Sequence, residues 1–415
     1  MKDLGWLLDV YIEGSQAVLW FKLENGRSLR LVDRYTPDFI VKPKQTVSME
    51  NLARVLLEHP NIVRVEPECW FTSLDRRRKA SVLHVWVDDA KNYWRVIRDC
   101  EKLKLVEAYY NVAQKGDLLH VQKYLFNRGY IPTAKMEIEY SDGKLLDLRH
   151  IDDGLEVKPP PFTVLPFQVK FSDRHSISSI TVFNEFLDKE KTFEGGEEKL
   201  LNLLSDIITD LDPDFIVAPN IKEVLNQIMR RCKALEVNVP VNRNPPTMQF
   251  KRRALSVLHC GRVLLSMHTF QWLGVAGVVE RARFTMAPPR LSAEWQAGRT
   301  IDSRQSYEAL KRRVLLPMNR EFYSYSLTVK DLALRDRGGL IFAPEAGIHE
   351  NVGVLDFESM FPNIIDRFNV SYETVKPGFI DRSIRGFLGD LTRNFLKRRL
   401  YFKHLRDRYP KDSLE

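Results

Sequence analysis

The stretch VLDFESMFPNII, from Val354 to Ile365, places one carboxylate, Asp356, at the end of an apolar run. The run predicts a buried β-strand, and the Phe361-Pro362 pair predicts a sharp turn after it. Carboxylate oxygens are ligands that Mg²⁺ prefers, and two such ions can clamp the attacking and leaving oxygens of a phosphoryl transfer. The stretch therefore predicts part of a metal-dependent site. The simpler alternative is a strand-end acid with a capping role.

A second pair of residues with chemical potential lies near the C-terminal end of the sequence. In FLKRRLYFKHL, Arg399 and Lys403 are four residues apart, so a helix would place both on one face. A guanidinium group binds phosphate oxygens as a fork and an ammonium group as a point charge. The spacing therefore predicts a phosphate-binding face. Because basic helices are common, a solvated surface is the alternative.

Composition and charge limit the class of protein. The net charge is +8, which is compatible with a polyanionic partner. No apolar run is long enough to span a bilayer, and the N-terminal segment lacks the layout of a signal peptide, so a cytoplasmic protein is expected. The four cysteines include no CxxC pair, which argues against a zinc site or disulfides and predicts buried thiols. Clusters of basic residues occur at 76–79, 251–253, 311–313 and 397–399.

Local patterns predict a multidomain α/β and α+β protein. Asn25-Gly26 predicts a hairpin, and Ser48 predicts the start of a helix that ends before Pro60. A proline-rich break at 157–167 predicts a domain boundary. Strands and helices alternate after it, which predicts an α/β layer. A final helix is expected from about Asp390 to Arg408.

The segment around Asp356 resembles motif A of family B DNA polymerases, whose pattern is D-x-x-S-L-Y-P-S-I-I. Asp356, Ser359, Pro362, Ile364 and Ile365 match this pattern, and Met360, Phe361 and Asn363 are close substitutes. The approach RDRGGLIFAPEAGIHENVGVLDF and the continuation FNVSYETV are also similar to the family. Upstream, YTPDFIVKP and GDLLHVQKYLFNRGYIP resemble the N-terminal domains of archaeal members. The likeness covers essentially the whole chain and is most specific at motif A.

The resemblance implies a role for each matching residue. Asp356 and the carbonyl of Phe357 would bind Mg²⁺ in a two-metal site, and Arg399 and Lys403 would grip the triphosphate of a dNTP. The ring of Phe361 would lie beneath the incoming sugar and exclude a ribose 2′-OH by its bulk. Ser359 and Met360 would complete the nucleotide-binding turn. The glycine-bearing approach, Arg337, Gly338 and Gly339, would contact DNA primer-template.

The nuclease half departs from the family pattern. The first nuclease motif, F-D-x-E, corresponds to LPFQVKF, which has Gln168 and Lys170 at the positions of the acids. The second corresponds to DPDFIVAPNIKEVL, where Leu225 replaces an aspartate, and the third is unrecognisable around Asp302. A lysine puts positive charge where a cation would bind. An RNase H-like, exonuclease-type domain without proofreading chemistry is therefore expected, as in the archaeal subgroup whose nuclease domain is degenerate.

The resemblance also predicts the order of the domains. An N-terminal mixed domain is expected over 1–155 and the exonuclease-like domain over 156–300. A connector over 301–345 would return to the N-terminal domain and carry the template-side loop. The start of the polymerase palm, with motif A, would follow over 346–385, and the first fingers helix over 386–415.

The 415 residues contain neither a K-x-x-x-N-S-x-Y-G helix nor a Y-G-D-T-D-S hairpin, which carries the family's other metal-binding aspartate. The expected function is therefore that of the N-terminal subunit of a split DNA polymerase for replication or repair. A C-terminal polypeptide would supply the rest of the fingers, palm and thumb. The chain alone would be inactive, with its unpaired apolar surface exposed. The alternatives are a non-catalytic DNA-binding or regulatory protein derived from a polymerase, and a plain truncation.

Overall fold

The computed structural model describes residues 1–114, 118–152, 159–172, 176–243, 261–318, 328–330, 343, 345–376 and 378–410. The chain divides into two compact units. Met1–Thr72 with Arg76–Leu316 form most of the first unit, and Pro317–Ser413 form most of the second.

The strands and helices among these residues are numbered in chain order. The strands are β1 Lys2–Glu13, β2 Gln16–Leu23, β3 Ser28–Arg34, β4 Asp38–Pro43, β5 Ile62–Phe71, β6 Lys79–Val87, β7 Val106–Tyr110, β8 Lys135–Ser141, β9 Lys144–His150, β10 Val164–Phe171, β11 Ile177–Phe183, β12 Glu190–Glu194, β13 Phe215–Ala218, β14 Val263–Ser266, β15 Val375–Lys376 and β16 Phe379–Ile380. The helices are α1 Met49–Leu57, α2 Tyr93–Lys102, α3 His120–Arg128, α4 Glu197–Leu211, α5 Ile221–Leu235, α6 Met267–Thr285, α7 Pro289–Ser292, α8 Ala297–Lys311, α9 Met360–Phe368 and α10 Phe387–Arg406. No helix in the described ranges is long and apolar enough to cross a membrane.

A small closed barrel begins the first unit. Its strand order is β1-β2-β3-β9-β8. The predicted hairpin joins β2 to β3, with Gly26 at φ +83° and the Asn25 side chain accepting a hydrogen bond from the Arg27 N–H at 3.0 Å. Only glycine adopts that backbone conformation without steric cost. Apolar residues of β1, β2 and β8 fill the barrel and pack against α3.

The first unit also contains a four-stranded sheet in the order β5-β6-β4-β7. Helices α1 and α2 connect strands of this sheet along the sequence. Ser48 caps α1, as predicted, and accepts a hydrogen bond from the Asn51 N–H at 3.2 Å. The helix ends at Leu57, before Pro60, also as predicted. The first unit therefore begins with the mixed α and β structure that the sequence indicates.

The predicted α/β layer is a five-stranded sheet in the order β12-β11-β10-β13-β14. β10, β13 and β14 are parallel, whereas β11 and β12 are antiparallel additions on one side. Residues of α4 and α5 belong to one hydrophobic cluster of this sheet, and residues of α6 belong to another. Helices therefore cover both faces of the sheet, which suits its parallel part, β10, β13 and β14.

A buried carboxylate joins the barrel to this sheet. Asp214, directly before β13, pairs with Lys22 of β2 and with Arg243, each at 3.1 Å. It also accepts a hydrogen bond from the Thr163 N–H at 2.9 Å. All three charged side chains lie almost completely away from solvent. Removal of one member of such a group leaves an unpaired charge in the interior. Asp214 therefore stabilises the fold.

The thiols follow the prediction in part. Cys100 and Cys232 are buried, and burial raises the pKa of the Cys100 thiol to about 12. Cys69 is exposed on β5, so the prediction of a buried thiol is wrong there. Cys260 lies outside the described residues.

The second unit contains α9, the short β15-β16 hairpin and α10. The final helix is confirmed, although it begins at Phe387 rather than Asp390. The predicted strand that ends at Asp356 is wrong: residues 352–357 form no strand. A strand requires hydrogen bonds from a neighbouring strand, and no described strand lies beside this segment. Its apolar side chains are exposed, with Leu355 at 99%.

Candidate nucleotide-binding site

The turn that enters α9 has a left-handed backbone. Ser359 has φ +52° and ψ +46°, a conformation that is rare for residues other than glycine and asparagine. The Asn363 side chain holds the turn by donating hydrogen bonds to the carbonyl oxygens of Glu358, at 3.0 Å, and Ser359, at 3.1 Å. Strain of this kind persists only where surrounding contacts fix it, and it is concentrated at functional sites.

Two basic side chains of α10 reach this turn. The Arg399 Nε donates a hydrogen bond to the Ser359 hydroxyl at 3.1 Å, and the Lys403 ammonium group pairs with the Glu358 carboxylate. The hydrogen bond from Lys403 lowers the pKa of Glu358 below its ordinary value. The structure therefore confirms that Arg399 and Lys403 share one helix face. It also identifies Glu358 and Ser359 as the groups they contact.

Asp366 links α9 to the start of α10. Its carboxylate accepts hydrogen bonds from the guanidinium groups of Arg385 and, at 3.2 Å, Arg393. Desolvation acts to raise the pKa of Asp366, but the hydrogen bond from Arg385 and the charge of Arg393 outweigh it and hold the pKa below its ordinary value. This pairing is a second contact between α9 and the α10 region. It lies closer to the start of α10 than the contacts of Arg399 and Lys403 do.

Four polar residues of FNVSYETV form a buried clasp around the N-terminus of α10: Asn369, Ser371, Glu373 and Thr374. The Asn369 side chain donates to the carbonyl oxygens of Asp381 and Ile384 at 2.9 Å each and accepts from the Gly386 N–H at 2.7 Å. Sequence reasoning did not identify these residues. The polar run directly after α9 was the available signal, but the partners lie 12 to 17 positions away.

Glu373 supplies the negative charge of the clasp. Its carboxylate accepts hydrogen bonds from the Phe387 N–H, at 2.5 Å, and from the Ser371 hydroxyl, at 2.6 Å. The same hydroxyl accepts from the Leu388 N–H at 3.1 Å. These contacts satisfy the first free N–H groups of α10, where the helix dipole also favours an anion. The clasp therefore fixes the helix that carries Arg399 and Lys403.

Replacing Glu373 with alanine is expected to fray the first turn of α10. Loss of a helix cap costs about 1 to 2 kcal/mol, and the buried N–H donors would lose their partner. The measurement is hydrogen exchange of the amides of residues 387–390 in the full chain, which is expected to be at least about tenfold faster. Glu373→Gln, which retains an acceptor oxygen, is the matched control and is expected to lose less protection. Unchanged exchange in both variants would contradict the capping role.

The other predicted site residues of this segment are exposed. Asp356 lies in the irregular segment before the turn, and the side chains of Phe357, Met360 and Phe361 are open to solvent. No hydrogen bond or ion pair joins Asp356 to another described residue. The structure thus gathers Ser359, Arg399 and Lys403, whereas it brings Asp356 to neither cation.

The donor set for a divalent cation is incomplete. Asp356 and the backbone offer hard oxygen atoms, but no group of three or more acidic, histidine or cysteine side chains comes together among the described residues. The nearby carboxylate of Glu358 is held by Lys403. The residues present therefore do not form a complete metal site.

The predicted DNA-contacting residues Arg337, Gly338 and Gly339 lie outside the described residues, as does the basic cluster at 251–253. The residues predicted to replace nuclease acids, Gln168, Lys170 and Leu225, are described. Gln168 and Lys170 lie exposed on β10, alternating with the buried Phe167 and Val169. Leu225, 1% exposed, belongs to the hydrophobic cluster that contains Phe167 and Val169. The structure does not gather the three substituted positions into one polar site.

A protein-family profile matches part of the chain. The profile described as DNA polymerase family B matches residues 303–399. This range includes the motif A turn, the clasp and Arg399, so it covers most of the site.

Curated relatives extend the likeness. A segment is 31% identical over 100 residues to DNA polymerase 2 of Saccharolobus solfataricus, and it covers 24% of this chain and 16% of that protein. The chain is 20% identical over 428 residues to DNA polymerase 1 of Pyrococcus abyssi, over 88% of this chain and 54% of that protein. It therefore spans about half the length of the relative that it matches throughout.

The fold is similar to a solved structure. The family B DNA polymerase from the hyperthermophilic archaeon Pyrobaculum calidifontis matches with a TM-score of 0.73 and 17% identity. The match covers 99% of this chain and 65% of that one. At this identity the match shows only that the fold is similar. The matched region includes residues of both units.

Proposed function

We infer that this chain belongs to DNA polymerase family B, and from that premise we propose that its second unit binds the triphosphate of an incoming dNTP for DNA-directed DNA synthesis. The observation that carries the proposal is the meeting of Arg399 and Lys403 of α10 with the motif A turn at Ser359 and Glu358. Two cations one helical turn apart, facing a strained turn, can grip adjacent phosphates.

The contacts of the free protein suggest how phosphate would enter. Arg399 donates to a hydroxyl, and Lys403 to an exposed carboxylate. A triphosphate offers both cations more negative charge than these partners do. Glu358 is therefore a competitor that the substrate displaces from Lys403.

The other motif A residues would complete the site. The Asp356 carboxylate and the Phe357 carbonyl would be two oxygen donors to a divalent cation, Mg²⁺, which clamps the phosphate oxygens of the reaction when it is bound. The exposed ring of Phe361 would lie below the sugar and exclude a 2′-OH by bulk. Met360, at the start of α9, would border the same space.

The five-stranded sheet would be the RNase H-like, exonuclease-type domain without proofreading activity. Lys170 would repel a cation at one acidic position of the family, and Gln168 supplies no charge at the other. Leu225 fills its position with a buried apolar side chain. With its acids replaced, this domain would retain structural support and DNA contact.

The proposed partners are primer-template DNA, with Arg337, Gly338 and Gly339 on the template side, and further polypeptide that carries the remaining fingers, palm and thumb. This proposal rests on the single motif A carboxylate, since one carboxylate cannot hold two metal ions. Synthesis would then require both parts, and an N-terminal subunit of a split polymerase fits this arrangement.

A non-catalytic DNA-binding protein derived from a polymerase is the second candidate. Gln168, Lys170 and Leu225 support it, because on this proposal they replace acidic residues of the family and the chain would already have lost one of its activities. The two functions differ in one respect. A binding protein has no need of Asp356, whereas synthesis does.

Nucleotide binding tests the proposal. Arg399→Ala and Lys403→Ala are each expected to weaken dNTP binding by about 10- to 100-fold, because each removes charge-assisted hydrogen bonds. Glu358→Gln is expected to strengthen binding, because it removes the competitor for Lys403. The measurement is an equilibrium titration of the full chain with a fluorescent dNTP. Lys397→Ala, which removes an exposed cation from the same helix, is the matched control. Equal affinity in all these variants would reject the site.

A further inference from the structure

The fold brings together two basic segments that are far apart in sequence. Phe71, the last residue of β5, forms an isolated parallel bridge with Val314. The Phe71 N–H donates to the Arg313 carbonyl at 2.8 Å, and the Leu315 N–H donates to the Phe71 carbonyl at 2.9 Å. The segments 76–79 and 311–313 therefore meet at Phe71. We call Phe71 with these two segments the basic patch.

Aromatic rings are interleaved with the cations of the patch. The Arg76 guanidinium lies 4.7 Å from the centre of the Phe71 ring, and the Lys79 ammonium lies 5.0 Å from it. Next to them, Arg313 lies 5.2 Å from the centre of the Trp70 ring. Cation–π contacts of this kind hold the charged groups over the rings instead of leaving them free to rotate in solvent.

The charge of the patch is poorly compensated. Its two segments carry seven basic residues, Arg76, Arg77, Arg78, Lys79, Lys311, Arg312 and Arg313. Arg313 pairs with Glu68 at 2.7 Å. Arg76, Arg78, Lys79 and Lys311 are exposed, and none of them forms an ion pair with a described carboxylate. Such a concentration of like charge attracts a polyanion.

We propose that the basic patch binds single-stranded DNA. Phosphates satisfy the exposed cations, and bases stack on the Arg76 guanidinium plane that the Phe71 ring holds in place. A duplex offers the cations its phosphates but keeps its bases stacked inside, so it gains nothing from the rings. The patch lies wholly in the first unit and includes no residue of the nucleotide site. It therefore goes beyond the proposed function and can be tested separately from it.

The first test removes charge from the patch. Arg76→Ala with Lys79→Ala is expected to weaken binding of a fluorescein-labelled oligothymidylate to the full chain by at least about tenfold at low salt, measured by fluorescence anisotropy. If each cation meets one phosphate, the slope of log affinity against log salt falls by about 0.7 for each. Arg230→Ala with Lys233→Ala removes the same two residue types from an exposed face of α5 and is expected to bind like the parent chain.

The second test removes the ring. Phe71→Leu retains apolar bulk at the bridge but cannot hold the Arg76 guanidinium by a cation–π contact, so it is expected to weaken single-strand binding by about fivefold or more and leave duplex binding unchanged. Arg399→Ala is expected to leave single-strand binding intact even if it abolishes nucleotide binding. The proposal is overturned if the charge variant binds like the parent, if both double variants lose affinity equally, or if a duplex of the same length binds as tightly as the single strand.

Discussion

Asp214→Ala is expected to lower the free energy of unfolding by about 3 to 5 kcal/mol, because it leaves the buried cation Lys22 without its anion and leaves Arg243 with Asp212 as its carboxylate partner. The carboxylate is fully buried and also binds the Thr163 N–H. Asp214 is the second aspartate of the DPD run, which precedes the second nuclease motif in the family. Here it joins the barrel to the five-stranded sheet, so its role is structural.

Urea denaturation of the full chain, followed by tryptophan fluorescence, measures this loss. Asp210→Ala removes an exposed carboxylate from the same chain region and is expected to change the free energy by no more than about 0.5 kcal/mol. Asp214→Asn retains a hydrogen-bond acceptor for Thr163 without the charge, and is expected to be intermediate. An Asp214→Ala midpoint equal to that of the parent chain would show that the ion pairs add nothing to stability.

Elements whose signals are local could be predicted from the sequence. The Asn25-Gly26 turn needs a residue that accepts positive φ, and Ser48 caps the helix that it directly precedes. The alternation of strands and helices after the proline-rich break also predicted an α/β layer, which the structure shows as the five-stranded sheet. In each case the interaction that stabilises the element lies within a few residues of it, or follows from periodicity alone.

Features that depend on distant partners could not be predicted. The segment ending at Asp356 has the composition of a strand, but a strand forms only beside another strand, and none of the described strands is adjacent. The clasp could not be predicted either, because Asn369 and Glu373 accept hydrogen bonds from backbone N–H groups at the start of α10, which is distant in sequence. The resemblance predicted Arg399 and Lys403 through their helical spacing. Their contacts with Ser359 and Glu358 emerge only when α9 and α10 are packed together.

Asp356→Ala is expected to reduce DNA synthesis by about 10³-fold or more in an assembly of this chain with polypeptide that supplies the second carboxylate motif. Several kcal/mol of transition-state stabilisation depend on a metal-binding carboxylate, and each 1.4 kcal/mol is about a factor of ten. Asp356→Asn, which keeps the shape but not the charge, is expected to be nearly as inactive.

Primer extension by that assembly, in the presence of Mg²⁺, tests the central claim most directly. Glu350→Ala, which removes another exposed carboxylate a few residues upstream, is the matched control. We expect the parent and Glu350→Ala assemblies to extend the primer at similar rates, and both Asp356 variants to show almost no extension. Equal rates for the Asp356 variants and the parent would mean that this carboxylate has no part in nucleotidyl transfer, and the polymerase assignment of the site would be wrong.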